Sequence, residues 1–153
     1  MIATARPLYE TQADLKREAS VAGIISQKLN VKLVKLPIRY SIDYAGYYFD
    51  TKTLKAWYEI KCRNFHSLNL IQYDYLILSL AKVMAGLQLS WTTRKPFYIF
   101  WSFLDNSIYF IEITTELVKE VADIKSGGRI DRGDPQDVEP MLCFPKSMLV
   151  RFY

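Results

Sequence analysis

Four acid-x-lysine triplets occur in this chain: Asp14-Leu15-Lys16, Asp50-Thr51-Lys52, Glu59-Ile60-Lys61 and Asp123-Ile124-Lys125. A carboxylate can hold a hard divalent cation, and an ammonium group can stabilise charge developing on phosphorus. Side by side on one face they are parts for metal-assisted hydrolysis of a phosphodiester. Geometry restricts which triplet can serve. On a helix, positions i and i+2 point about 200° apart, which removes the first triplet and is expected to remove the fourth. The second reads as a turn. Glu59 and Lys61 lie in a strand-like run, where the two-residue period places both side chains on one face, roughly 7 Å apart.

Two further acids converge on this triplet. Asp43, between apolar Ile42 and Tyr44 on the preceding strand-like run, shares a face with Ser41 and Ala45 and can meet Glu59 across the ladder. Glu18 falls in register with Leu15, Ala22, Ile25 and Leu29 on an amphipathic helix, interrupting the face that should pack on the sheet. A buried unpaired carboxylate is costly, so a metal or a lysine partner is expected there. Two carboxylates and a backbone carbonyl suffice to cradle Mg²⁺, which keeps several waters.

The elements that must position these residues follow from periodicity. Residues 11 or 12 to about 29 read as the amphipathic helix, ended by Asn30. Strands are expected over 31–36, stopped by Pro37, then over 40–49 and 54–63, with Asp50-Thr51-Lys52 as the turn between the last two. A long, mostly buried helix capped by Ser67 or Asn69 is expected to run to about Ser90, with Ile71, Tyr75, Leu78, Lys82, Ala85 and Leu89 on one side. Two strands, 97–104 and 107–113, form a hairpin around Asp105-Asn106. A short helix over 116–124, an aperiodic polar stretch from Ser126 to Pro140 and a closing strand over 147–153 complete the chain. The α-β-β-β-α-β-β order predicts an α/β fold with a mixed central sheet flanked by helices. One domain over 1–153 is expected, with a core at about 9–113, a polar loop at about 125–140 and the last strand at about 147–153.

Composition narrows the classes. The 153 residues are 50% hydrophobic and 24% charged, enough apolar material for one core. No uncharged apolar run approaches the roughly 18 residues of a membrane span, and the N-terminus lacks the apolar block of a signal peptide, so an intracellular protein without a membrane partner is expected. Cys62 and Cys143 are far apart and outside any metal-ligand spacing. A net charge of +4 is compatible with nucleic acid but is no charge-driven binder. His66 is the single histidine and reads as a surface residue. Histidine-metal nucleases, zinc hydrolases and Ser-His-Asp enzymes are therefore disfavoured, and chemistry rests on carboxylates and lysine.

Glu18, Asp43, Glu59-Ile60-Lys61 and a following helix bearing Lys82 resemble the PD-(D/E)XK nuclease superfamily, the restriction-endonuclease-like fold, over roughly 9–113. With Tyr9-Glu10-Thr11 and Leu78-Ser79-Leu80-Ala81-Lys82 the pattern is similar to small phage-type members. The proline that names the motif is absent, Ile42 preceding Asp43. The resemblance implies a metal-dependent nuclease hydrolysing DNA phosphodiester bonds with Mg²⁺ or Mn²⁺. Asp43, Glu59 and the Ile60 carbonyl would be ligands, Glu18 an auxiliary ligand, and Lys61 catalytic. Glu10 or Asp14 could take the place of Glu18. Lys82, Arg63, Arg129 and Arg132 are candidate nucleic-acid contacts. DNA is the expected partner, RNA stays open, and the cytoplasm, the host's if the chain is of phage origin, is the expected compartment. Paired subunits are a further expectation, with 127–140 as a candidate contact.

Other readings compete. Glu59 and Lys61 could form a solvated cross-strand ion pair, Lys82 could extend along its stem to solvent, and Arg129 and Arg132, among Asp131, Asp134 and Asp137, could belong to a mixed exposed loop. The chain could also keep the fold as an inactive nucleic-acid-binding or assembly protein, or be a plain α/β interaction module.

Overall fold

The computed structural model describes residues 10–71, 75–121, 123–131 and 133–153. Thr11 caps the first helix, α1 (Gln12–Leu29), through a reciprocal box: its hydroxyl accepts from the Asp14 N–H at 3.1 Å while the Asp14 carboxylate accepts from the Thr11 N–H at 3.0 Å. Asn30 closes the helix in the left-handed region, φ 51°. An antiparallel meander follows, β1 (Lys32–Lys35), β2 (Tyr44–Tyr47) and β3 (Leu54–Cys62). The chain then makes β4 (Tyr75–Ser79), α2 (Leu80–Thr93), the hairpin β5 (Phe97–Ser102) and β6 (Ile108–Glu112), α3 (Thr115–Val121), β7 (Ile124–Gly128), β8 (Val138–Pro145) and the short β9 (Val150–Arg151).

The strands form two sheets. The larger has the order β1-β2-β3-β5-β6-β9, mixed because β3 and β5 run parallel, and the smaller is antiparallel, β4-β8-β7. The parallel pair is joined by a crossover containing β4 and α2, as parallel neighbours require. Strand alternation makes the large sheet a wall between two cores. Ala56, Tyr58 and Ile60 of β3 and Phe100 of β5 face Val21, Ala22 and Ile25 of α1. Trp57 of β3 and Phe97, Ile99 and Trp101 of β5 face Val83 of α2 and the small sheet's Leu76, Leu78, Leu142 and Phe144. The seat of α2 is close: a β-carbon at Gly86 would lie 2.0 Å from the Phe97 ring, so only glycine fits there. Among the described residues no helix is long and apolar enough to cross a membrane.

The expected mixed central sheet flanked by helices is present, but several elements differ from the sequence expectation. Among the described residues, the long helix expected from Ser67 to Ser90 is replaced by a 3₁₀ turn (Ser67–Ile71), strand β4 and α2. Neither Ser67 nor Asn69 caps α2; Ser79 stands at that position. Leu76 and Leu78 alternate inward as a strand requires, but their apolar neighbours Tyr75 and Ile77 hide the period, so helix and strand spacing cannot be separated there. The stretch 126–140 is no aperiodic loop. It contributes the end of β7 and the start of β8, where Gly128, with φ 127°, lies so close to Asp137 that a β-carbon would sit 1.7 Å from its carbonyl oxygen. The second strand is shorter than 40–49, so Asp43 lies in the bend just ahead of β2. Lastly, Asp123-Ile124-Lys125 enters β7 rather than a helix, since α3 stops at Val121 and the closing strand contracts to Val150–Arg151.

Candidate active site

Because Trp57 faces α2, strand alternation sends Glu59 and Lys61 to the same side of the large sheet. Glu59 is fully buried. Its neighbour across the sheet is set by register: Tyr44 pairs with Tyr58, so the residue before Tyr44 falls beside Glu59. That residue is Asp43. Its backbone is pinned by the Leu36 N–H donating to its carbonyl at 2.8 Å, and its Oδ2 accepts from the Ile60 N–H at 3.0 Å. An extended residue sends its N–H and C=O to the same strand edge, so the Ile60 carbonyl also faces the Asp43 side.

Three lysines hold the acids. Lys61 Nζ lies 2.8 Å from Glu59 Oε1, an ion pair, though that buried oxygen has no aligned hydrogen bond. Lys82, in the first turn of α2, places Nζ 3.2 Å from Glu59 Oε1, 3.4 Å from Oε2 and 3.9 Å from Asp43 Oδ1. Lys35, at the end of β1, pairs with Glu18 and lies 3.7 Å from Asp43 Oδ1. Burial pushes the Glu59 carboxyl above its ordinary range, with Lys61 opposing and Asp43 adding to the rise. For Lys61, burial disfavours the charge, but the pull of Glu59 and Asp43 outweighs it and holds the ammonium above its usual value. Lys35 is raised in the same way, Glu18 and Asp43 overcoming burial. Tyr44 is pushed up by burial and by Glu18.

The group opens into a cleft of about 750 Å³. One side is lined by Glu10, Glu18, Lys35 and the chain leading to Asp43, the other by Ile77 to Ser79 of β4, Ala81 and Lys82 of α2 and Glu139 and Met141 of β8. Arg63 contributes to its wall and donates to the Ile77 carbonyl at 2.8 Å; burial lowers its pKa.

The structure thus brings Asp43, Glu59, Lys61 and Lys82 together and joins Glu18 to them through Lys35. Asp14 is engaged in the α1 cap, and Glu10 lines the cleft. Among the described residues no three His, Cys, Asp or Glu side chains are close enough to share a metal ion, so Glu18 is linked to Asp43 by an ammonium rather than by direct convergence. Lys82 is not the inner-face residue of a long buried helix that the spacing suggested; it stands at a helix start, against the carboxylates. Arg129 is exposed and bidentate to Asp131, at 3.0 and 2.6 Å, and lies outside the cleft lining. Arg132 lies outside the described residues. His66 is exposed. Sequence reasoning missed Lys35. Its signal was the register of β1, which pairs Lys35 with Tyr44 next to Asp43, and strand pairing is not visible in one sequence.

The donor set suits a hard divalent cation. Asp43 and Glu59 reach a common cation, since one ammonium already lies within ion-pair distance of both. A mixed sheet between helices, with an acid ahead of one strand and an acid-x-lysine on the next, is the restriction-endonuclease-like arrangement. The chain matches the family described as "Phage putative PDDEXK endonuclease" over residues 4–152, and it belongs to that family. No curated protein matches it.

Proposed function

We propose that this protein is a metal-dependent nuclease that hydrolyses DNA phosphodiester bonds. Asp43, Glu59 and the Ile60 carbonyl would hold Mg²⁺ or Mn²⁺, with Glu18 as an auxiliary acid. The observation that carries the reading is the convergence of Asp43 and Glu59 on one ammonium, with Lys61 at 2.8 Å. A bound divalent ion would polarise a phosphoryl oxygen and lower the pKa of the attacking water. Lys61, kept protonated by Glu59 and Asp43, presents a fixed positive charge to the phosphoryl group and orients water. The Ile60 N–H holds the Asp43 carboxylate in place. Arg63 and Lys82 supply cations to the wall along which a phosphate backbone would lie, and Lys35 screens Glu18 and Asp43 from it. DNA rather than RNA is the proposed substrate, and Arg129, outside the cleft lining, and Arg132 are proposed as further backbone contacts. The 127–140 region is a proposed subunit contact, tested by light scattering with DNA bound: a strict monomer removes it.

The test is cleavage of plasmid and branched DNA with Mg²⁺ or Mn²⁺, with a chelator as control. Asp43→Ala, Glu59→Ala and Lys61→Ala are expected to abolish it. Cleavage that survives Glu59→Ala or Lys61→Ala rejects this site. DNA shifted in a gel with neither cleavage nor metal binding would favour a binding or assembly role on the same fold.

A further inference from the structure

Lys82 occupies the gap that a shared cation between Asp43 and Glu59 would need. Its ammonium is within 3.2 Å of one carboxylate and 3.9 Å of the other. Two cations cannot share that space without strong repulsion, so an ion placed between these acids must displace Lys82. Glu59 keeps a partner when Lys82 leaves, because Lys61 lies 2.8 Å from the same carboxylate. The lysine is free to leave: its stem is flexible, its side chain is 30% exposed, and it opens onto the cleft.

The charge balance points the same way. Within the ion-paired group three carboxylates, Glu18, Asp43 and Glu59, meet three ammonium groups, Lys35, Lys61 and Lys82, while Glu10, Glu139 and Arg63 also line the cleft. Inside that group the charges cancel, which weakens the pull on a free divalent ion. An ammonium released from Asp43 and Glu59 would find its best new partner in an anionic oxygen lying in the cleft. A phosphodiester there would draw Lys82 away from the acids and leave them to the metal.

We infer that Lys82 is a displaceable counter-ion that makes metal binding and phosphodiester binding cooperative. The inference rests on the nuclease reading of the same site and adds an order to it: the metal is held weakly until a phosphate backbone engages Lys82.

The test is titration of the full chain with Mn²⁺, following free Mn²⁺ by electron paramagnetic resonance, with and without a short phosphorothioate DNA duplex that keeps the charge and resists hydrolysis. For the wild type, duplex is expected to tighten Mn²⁺ binding about tenfold, within the usual range of site-to-site coupling. Lys82→Met is expected to bind Mn²⁺ about tenfold tighter without DNA and to lose most of the duplex effect. Lys82→Arg, which keeps the charge and the fold, should behave as the wild type. Equal Mn²⁺ affinity in Lys82→Met and wild type, or an undiminished duplex effect in Lys82→Met, overturns the inference. If Mn²⁺ binding is still lost in Glu59→Gln, the metal reading survives that failure. If Glu59→Gln binds Mn²⁺ as the wild type does, the metal site and the inference fall together.

Discussion

Glu59-Ile60-Lys61 and Asp123-Ile124-Lys125 share a letter pattern and lie on or at the start of strands, yet the molecule treats them differently. The first sits in a central strand of the large sheet, with β2 on one side and β5 on the other. The second opens an outer strand of the small sheet. Glu59 is fully buried and 2.8 Å from Lys61, whereas Asp123 and Lys125 are more than half exposed and 3.6 Å apart. Lys125 also lies over the Tyr75 ring, 4.6 Å from its centroid. An ion pair in water gains little against its own hydration, while a carboxylate without solvent depends on every cation near it. Strand geometry makes a carboxylate and a lysine neighbours; only burial, and a second acid fixed by register, make them a site.

The contrast can be broken by substitution. Glu59→Gln and Lys61→Met are expected to lower metal-dependent DNA cleavage by at least about 100-fold, the scale of losing a transition-state charge partner, while Asp123→Asn and Lys125→Met leave it unchanged. Equal losses from both triplets, measured as initial rates on plasmid DNA, would erase the distinction. A double-mutant cycle on thermal stability sharpens it: coupling between Lys61 and Glu59 should be resolvable, and that between Lys125 and Asp123 indistinguishable from zero.

The platform behind the β3 site is tested next. Gly86→Ala would push a methyl group into the Phe97 ring and should destabilise the fold by about 2 kcal/mol, read from the urea midpoint. An unchanged midpoint would mean that α2 can shift away from β5 without cost.

The smallest effect concerns a carboxylate served by hydroxyls instead of lysines. Slight burial works to raise the Asp105 pKa, but hydrogen bonds from Ser67 and Ser107 outweigh it and hold the group at about 2. A depressed folded pKa stabilises above the ordinary carboxylate value near 4 and loses that stabilisation as pH falls toward 2. Asp105→Asn should therefore lower stability at neutral pH and flatten the acid limb of the stability curve between about 4 and about 2, so that the two proteins converge in acid. A limb of unchanged slope would assign acid sensitivity to other groups.

Much of the candidate site's geometry was legible because it is local. Asp43, a turn at Asp50-Thr51-Lys52 and Glu59 are close in sequence, and the alternation of β3 alone sends Glu59 and Lys61 to one face. The helix α1 was legible through the spacing of Leu15, Ala22, Ile25 and Leu29 and through Asn30, which closes it. The small sheet was not. It pairs Tyr75–Ser79 with Met141–Pro145, partners remote in sequence, and β7 ends in two glycines that offer no apolar pattern. The β3 triplet is not the sole copy at a strand for the same reason, since the strand at Ile124 depends on pairing with Leu142. Lys35 escaped because a lysine ending a short exposed strand looks like any solvated charge until β1 and β2 are put in register.

One consequence follows from how β4 meets α2. Ser79 is the last residue of the strand and Leu80 the first of the helix, with no loop between them. Lys82, the third residue of α2, therefore takes its place from the three-stranded sheet as much as from its own helix. The remote pairing of β4 with β8 thus helps to set where a site ammonium stands.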